Sequence, residues 1–130
     1  MRYIGIDFGM KRIGVALSDQ DGDFAMPHSV IENGKGAATT VAALAKKECV
    51  GAIVIGRSLD YKGAPNPIMR KAQQFAHDLE KLSGLAVLYE NEFLTSAEAE
   101  RIQGKTETLD ASAAALILKS FLDTMNREIN

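Results

Sequence analysis

The chain has 130 residues and a formal net charge of −2 at pH 7, from 15 lysines and arginines against 17 aspartates and glutamates. This length suits a single domain over residues 1–130. The sequence contains no run of about 18 apolar residues, and its one cysteine cannot close an internal disulfide. We therefore expect no membrane span and a cytoplasmic location, where thiols stay reduced.

Three strands open the predicted order of elements. Apolar strand patterns cover residues 2–8, 12–18 and 23–31. Asp21-Gly22 tolerates the positive φ that a tight hairpin turn needs, so the second and third strands should pair. Pro27 removes a backbone donor from the third strand and favours an edge position for it.

Helices and strands alternate along the rest of the chain. Helical spacing predicts a helix over 37–49, with Cys49 as a small core residue. A short apolar run predicts a strand over 51–56, and a loop should follow over 57–66. Later patterns predict a helix from Asn66-Pro67 to Gly84, a strand over 85–89, a short helix opened by the capping box at 95–98, and a last helix over 110–125.

This element order indicates an α/β fold. Three antiparallel strands followed by helix-separated parallel strands imply a mixed five-stranded sheet with helices on both faces. In open sheets, binding sites are built at the ends of strands. Polar residues at the strand ends are therefore the first candidates for a site.

Asp7 is the most informative single residue. It ends an apolar strand that should be central and buried, where an uncompensated carboxylate is costly. Gly5 and Gly9, on either side, leave room for another group to approach the backbone. The alternative is that Asp7 caps the turn or pairs with Lys11 or Arg12.

Two further acids lie at the ends of predicted elements. Glu92 follows the fifth strand, with Glu90 and Asn91 near enough in sequence to be alternative or auxiliary ligands; a solvated loop acid is the alternative. Asp110 starts the last helix, where Asp is a favoured N-cap, although a capping carboxylate has a second oxygen for a ligand. Three acids from separate elements suit hard cations such as Mg²⁺.

Another acidic group lies between the second and third strands. Asp19, Asp21 and Asp23 alternate as in a calcium loop. The sixth and twelfth positions of that loop are Phe24 and Val30 instead of glycine and an acid. We therefore expect a polar hairpin turn here.

A long block of sequence resembles a known family. Residues 5–19, Gly-Ile-Asp-Phe-Gly-Met-Lys-Arg-Ile-Gly-Val-Ala-Leu-Ser-Asp, resemble the opening of the YqgF/RuvX family, described as Holliday junction resolvases and as nucleases that mature the 5′ end of pre-16S rRNA. Residues 53–63, 92–95 and 110–118 resemble later family segments in the same order. The resemblance implies an RNase H-like fold and an acidic triad of Asp7, Glu92 and Asp110.

The chain departs from the family pattern at several positions. The family acid before the glutamate is Asn91 here, and the arginine after it is Phe93. The usual Leu-Pro pair is Arg57-Ser58, and Met10 replaces a small residue. Loss of the family arginine removes a phosphate contact or an internal ion pair, for which Arg57 is a candidate replacement.

The resemblance also implies a cofactor and a reaction. One or two Mg²⁺ or Mn²⁺ ions, held by Asp7, Glu92 and Asp110, would promote hydrolysis of a phosphodiester to a 5′-phosphate and a 3′-hydroxyl. Asp7 would be the ligand that the ions share. Five cations are candidates for phosphate contacts, and a solvated surface charge is the alternative for each: Lys11, Arg12, Arg57, Lys62 and Arg70.

Several functions are compatible with the sequence. The resemblance favours maturation of the 5′ end of pre-16S rRNA, with the maturing small ribosomal subunit as a partner, by a monomer or weak dimer. One alternative is a Holliday junction resolvase, which makes two symmetric cuts and hence needs a dimer. Another is an RNA- or ribosome-binding module without turnover, which the acidic pI and the Asn91 and Phe93 departures favour. The opening also resembles the phosphate loop of actin-like ATPases and sugar kinases, whose nucleotide cleft needs a second lobe.

Overall fold

The computed structural model describes residues 1–59, 69–93 and 107–129, with side chains described except at 57–59, 91–93, 107–110 and 127–129. The described elements, in chain order, are β1 (Arg2–Phe8), β2 (Arg12–Ser18), β3 (Ala25–Glu32), α1 (Ala37–Lys47), β4 (Val50–Leu59), α2 (Met69–Ser83), β5 (Ala86–Phe93) and α3 (Glu107–Ile129). The predicted short helix at 95–98 lies outside the described residues.

The strands form a mixed sheet in the order β3-β2-β1-β4-β5. β1 pairs antiparallel with β2 and parallel with β4, β2 pairs antiparallel with β3, and β4 pairs parallel with β5. The predicted sheet is confirmed, and β3, which contains Pro27, lies at an edge as expected. β1 is bonded on both sides, so the strand that ends near Asp7 is held by two ladders.

Helices cover both faces of the sheet, as predicted. On one face, Ile6 of β1 packs with Val41 of α1 and Leu79 of α2. On the other face, Tyr3 packs with Leu118 of α3. Because side chains alternate along a strand, the odd-numbered residues of β1 belong to the α3 face. None of the described helices combines the length and the apolarity needed to cross a membrane.

Two strands are longer than the sequence predicts. β4 continues past Gly56, and β5 continues past Tyr89. The two extensions are partners in one parallel ladder, with Ser58 opposite Glu92. Each strand supplies the hydrogen-bonding partners that let the other continue, so the start of the predicted loop 57–66 is strand. Glu92 therefore lies within β5, although the sequence placed it after the strand.

α1 is shorter than predicted. It ends at Lys47, and Cys49 follows with φ 54°, in the left-handed conformation that commonly ends helices and usually belongs to glycine. The side chain of Cys49 is exposed. The prediction that Cys49 is a core residue is therefore wrong, because helical spacing holds only while the helix continues.

Candidate active site at the sheet edge

The carboxyl ends of β1, β4 and β5 lie together at one end of the strands, because β4 runs parallel to both of its neighbours. We call this side of the sheet, which is formed by strand ends and not by an outer strand, the Asp7 edge. Asp7 is the penultimate residue of β1, and Glu92 is the penultimate residue of β5. This edge has the strand-end geometry at which open sheets build binding sites.

Asp7 is half-buried and lies on the face of β1 that α3 covers. Two positions earlier on that face, Gly5 lies directly beneath the helix. A Cβ at Gly5 would lie 2.7 Å from Leu118 Cβ and 2.9 Å from the carbonyl oxygen of Ala114. The missing side chain of Gly5 therefore lets α3 approach β1 closely, next to the strand end that carries Asp7.

α3 runs antiparallel to β1. At the start of the strand, the Tyr3 hydroxyl donates a hydrogen bond to Met125 Sδ at 3.4 Å. In the middle of the strand, Gly5 lies against Ala114. Moving along β1 toward Asp7 thus moves toward the N-terminus of α3, which brings the first turn of the helix to the same sheet edge.

Asp110 lies in the first turn of α3, four residues before Ala114. Residues at this spacing share a helix face. Ala114 is fully buried against Gly5, so position 110 falls on the sheet-facing side of α3. The alternative that Asp110 is the N-cap is wrong, because the helix begins at Glu107.

Glu90 of β5 lies in the same row of the sheet as Asp7. β1 and β4 pair up to Ile6 and Ile55, so the next positions, Asp7 and Gly56, lie side by side. Gly56 in turn pairs with Glu90. Two strand spacings separate the backbones of Asp7 and Glu90, roughly 10 Å, and the residue between them carries no side chain.

Partial burial raises the pKa of the Glu90 carboxyl. Burial penalises the charged form, and a nearby cation relieves that penalty. Glu92 lies two positions further along β5. Strand alternation therefore places positions 90 and 92 on one face, which is the face of Asp7.

The turn after Asp7 carries two of the predicted phosphate-binding cations. The Gly9 N–H donates to the Arg12 carbonyl oxygen at 3.0 Å and closes the turn. A Cβ at Gly9 would lie 2.5 Å from that oxygen, so the tight closure requires glycine. Lys11 and Arg12 are both exposed and adjoin the Asp7 edge.

The other predicted cations are placed differently. Position 57 alternates with Ile55, which packs on the α1–α2 face, opposite the face of Asp7. Arg70 is exposed in the first turn of α2, in that same layer. Lys62 lies outside the described residues. The structure thus brings Lys11 and Arg12 to the Asp7 edge, and it places positions 57 and 70 on the other side of the sheet.

A second acidic group occupies the β2–β3 turn, beyond the end of β1 that lies away from Asp7. The carboxylate oxygens of Asp19, Asp21 and Asp23 approach within 4.8 Å of one another. Asp19 Oδ1 accepts hydrogen bonds from the backbone N–H groups of Asp23 at 2.8 Å and Phe24 at 3.0 Å. These bonds organise the polar hairpin turn that the sequence predicts.

Sequence comparison assigns the family. The family model for RuvX, described as a Holliday junction resolvase, matches residues 1–124. The chain belongs to the RuvX family. An Acidiphilium cryptum relative that carries the name pre-16S rRNA nuclease is 35% identical over 135 residues, covering 96% of this chain and 85% of its own. An Anaeromyxobacter relative of the same name is 37% identical over 133 residues, covering 95% and 97%.

Solved structures share the fold of this RuvX family member. Thermus thermophilus RuvC superposes with a TM-score of 0.58 at 14% identity, covering 97% of each chain. The fowlpox virus Holliday junction resolvase gives a TM-score of 0.56 at 16% identity, covering 95% of this chain and 99% of its own. The predicted RNase H-like fold and family are confirmed. The prediction of a phosphodiester hydrolase is confirmed at the level of the family.

Sequence reasoning missed one residue of this region, Asn33. Its Nδ2 group donates to the Gly9 carbonyl oxygen at 2.8 Å, and its backbone N–H donates to the Lys11 carbonyl oxygen at 2.9 Å. A polar residue between a strand and a glycine is typical of any turn. Nothing in the local pattern connects it with a turn that lies more than 20 residues earlier, so the contact emerges only from the fold.

Proposed function

We propose that this RuvX family member is a metal-dependent endonuclease that hydrolyses nucleic-acid phosphodiesters, with residues 1–130 acting as one domain. The observation that carries the proposal is the approach of three elements to one sheet edge. These are the end of β1 with Asp7, the end of β5 with Glu92, and the first turn of α3 with Asp110. Membership of a resolvase family supports the same class of reaction.

The proposed donor set suits a hard divalent cation. Asp7, Glu92 and Asp110 offer only carboxylate oxygens, the ligands that Mg²⁺ and Mn²⁺ favour. One or two such ions, when bound, would activate water and stabilise the leaving oxygen of an in-line displacement. Asp7 is the proposed shared ligand, because its strand lies between α3 and the β4–β5 pair. Glu90, on the same face, is a candidate auxiliary ligand.

The proposed substrate contacts are electrostatic. Lys11 and Arg12 follow Asp7 in the adjoining turn, where their charges suit the phosphates that flank a scissile bond. Contacts of this kind position a strand without reading its bases, and they weaken steeply with salt. Lys11 and Arg12 are the proposed contacts next to the scissile bond. Lys62, predicted for the same role, lies outside the described residues, and Arg57 and Arg70, on the other side of the sheet, would reach only a substrate that continues past this edge.

Pre-16S rRNA, cut at its 5′ end on the maturing small ribosomal subunit in the cytoplasm, is the proposed substrate. The support comes from relatives that share 33–37% identity and carry the name pre-16S rRNA nuclease. A four-way DNA junction would need two symmetric cuts by a two-fold dimer. Cutting one RNA strand needs only a monomer or weak dimer.

The test compares both substrates directly. Purified protein is incubated with a 5′-extended pre-16S fragment and with a synthetic four-way junction, each with Mg²⁺, Mn²⁺ or EDTA. We expect metal-dependent cleavage of the RNA to a 5′-phosphate product, and no cleavage by Asp7→Asn. Asp23→Asn is the matched control, because Asp23 is an exposed acid in the β2–β3 turn, away from the site.

Each alternative has its own result. If wild type and Asp7→Asn bind the RNA equally and neither cuts it, the protein is an RNA- or ribosome-binding module. Paired symmetric cuts in the junction, with the RNA left intact, identify a resolvase. Undiminished cleavage by folded Asp7→Asn would refute the proposed site.

A further inference from the structure

Asn33 links two loops that are far apart in sequence. Its half-buried side chain donates to the Gly9 carbonyl oxygen at 2.8 Å. Its backbone N–H donates to the Lys11 carbonyl oxygen at 2.9 Å. Both acceptors belong to the β1–β2 turn, so one residue holds the backbone on either side of Met10.

The turn that Asn33 holds begins two residues after Asp7. Met10 and Lys11 are exposed at its tip, and Met10 keeps 57% of its surface open to solvent. The backbone bonds to Asn33 therefore fix the point from which the Lys11 side chain projects. A charged side chain that projects from a fixed backbone loses less conformational freedom when it binds a phosphate.

A second exposed lysine lies on the Asn33 side of this link. Lys35 is two residues after Asn33, a span of at most roughly 7 Å, and the Ala37 N–H closes the loop on the Gly34 carbonyl oxygen at 3.1 Å. The acid that precedes Asn33, Glu32, is the ladder partner of Arg12. The opposite charges of Glu32 and Arg12 sum to zero, which leaves the exposed Lys11 and Lys35 as the remaining cations of these two loops.

We propose that Asn33 is a positioning residue that ties these two loops together, so that Lys11 and Lys35 contact neighbouring backbone phosphates of the strand bound beside Asp7. The inference rests on the proposed nuclease function and adds to it a residue that fixes the substrate path. The ligand is the phosphate backbone of single-stranded RNA, held by charge and independent of base sequence.

Binding without turnover tests the proposal. The probe is a labelled single-stranded pre-16S oligonucleotide in EDTA, titrated with protein at several salt concentrations. We expect Asn33→Ala to weaken binding about fivefold, the effect of one lost hydrogen bond of ordinary strength. Lys11→Ala and Lys35→Ala should each reduce the slope of log K against log salt by about 0.7, the loss of one phosphate contact on a single strand. Lys47→Ala, an exposed lysine at the far end of α1, is the control.

A double-mutant cycle separates positioning from a general loss of structure. If Asn33 acts through Lys11 and Lys35, adding Asn33→Ala to the variant Lys11→Ala/Lys35→Ala weakens binding by no more than about twofold. In cleavage assays, KM should rise while kcat stays within about twofold. Additive losses, or a fall in kcat without a change in binding, would overturn the proposal.

Folding of the variants is checked by thermal unfolding. Asn33→Leu keeps the approximate size of the side chain and adds no charge, but it removes the donor to Gly9, and it should bind as weakly as Asn33→Ala. If both Asn33 variants unfold, the proposal is tested with Lys11→Ala and Lys35→Ala alone. It is refuted if neither variant changes the slope of log K against log salt. If RNA binding depends on Asn33 but the protein cleaves nothing, the nuclease proposal is refuted and the role of Asn33 stands. If cleavage depends on Asp7 but Asn33→Ala leaves RNA binding unchanged, the role proposed for Asn33 is refuted and the nuclease proposal stands.

Discussion

Three carboxylates illustrate how local surroundings set the behaviour of an acid in this protein. Asp19 receives two backbone N–H groups within its own turn, which satisfies its charge locally. Glu90 is partly buried, and burial raises its pKa. Asp7 is half-buried at the end of the central strand, on the face of Glu90. A cation bound between the last two, as proposed, would relieve the cost of burying their charge.

Glu90 and Glu92 lie on one face of β5, and their substitution can distinguish a metal ligand from a supporting neighbour. We expect Glu92→Gln to lower kcat by more than about 100-fold, since even residues that only support metal ligands contribute roughly 10–100-fold. Glu90→Gln should cost about tenfold or less, within the range of a supporting residue. Steady-state cleavage of the RNA substrate measures both. A larger loss for Glu90→Gln than for Glu92→Gln would exchange their roles.

The environment of Asp19 predicts how the stability of the protein depends on pH. The hydrogen bond from the Phe24 backbone N–H lowers the pKa of Asp19 below its ordinary 3.8. The carboxylate therefore contributes stability above pH 3.8, and this contribution is lost as the pH falls through the lowered pKa of the folded state. Asp19→Asn keeps the accepting oxygen but not the charge. Its melting temperature should lie slightly below that of wild type at pH 7, and the gap should shrink as the pH falls below 3.8 through the lowered pKa of the folded state.

The control for this experiment is Asp123→Asn, which removes an exposed charge on α3. Melting curves recorded from pH 7 to pH 2 by circular dichroism give the comparison. A gap between wild type and Asp19→Asn that widens in acid would contradict the argument.

At the scale of elements, the sequence predicts strand cores better than strand ends. β1 and β2 have the predicted bounds, because their apolar runs are framed by turn residues. β5 was expected to end at Tyr89, since Glu90-Asn91-Glu92 has the composition of a loop. The structure continues this strand because β4 extends beside it. Pairing between segments that are distant in sequence sets this boundary, so local composition does not predict it.

In the candidate site, too, local sequence predicts some placements, and others depend on packing between distant segments. Asp7 could be recognised from the sequence because an acid rarely ends a buried central strand. That position 110 lies on the sheet-facing side of α3 could not, because this depends on how the helix packs over Gly5. Position 57 lies on the face opposite Asp7 because β4 extends to Leu59. The sequence predicted a loop there and gave no face for this position.

The contact between β1 and α3 gives a prediction about Gly5. Gly5→Ala would place a methyl group 2.7 Å from Leu118 Cβ and 2.9 Å from the carbonyl oxygen of Ala114, so that β1 or α3 must shift to make room. We expect a loss of about 1–3 kcal/mol in the free energy of unfolding, typical of overpacking, together with a lower kcat as α3 shifts from Asp7. Urea unfolding measures the first effect. Gly34→Ala is the control, since no atom lies within 4 Å of its added Cβ, and equal effects of the two substitutions would refute the packing argument.

At the scale of the whole molecule, acids and bases nearly balance, with a net charge of −2. Binding to nucleic acid must therefore depend on where the charges lie. Bound divalent cations would reverse the sign of the Asp7 edge and place positive charge beside the exposed Lys11. Metal binding and nucleic-acid binding should thus support each other at this edge.

Metal binding should also appear in global stability. A cation that binds only the folded protein adds about 2.7 kcal/mol to the free energy of unfolding at 100 times its Kd. We expect Mg²⁺ or Mn²⁺ to raise the melting temperature of wild type by several degrees, and to leave Asp7→Asn unchanged, when followed by calorimetry. The Asp23→Asn control should respond as wild type does. Equal shifts in wild type and Asp7→Asn would show that the ions bind elsewhere.

The contact of Tyr3 with α3 has a practical consequence for engineering. Its ring meets Phe121 edge-on at 5.7 Å, and its hydroxyl reaches Met125. The first strand and the last helix thus come together near their outer ends, at the margin of the sheet remote from Asp7. A reporter domain fused ahead of β1 would therefore lie away from the candidate site, and the β2–β3 turn at the same end of the sheet is a suitable place for an insertion.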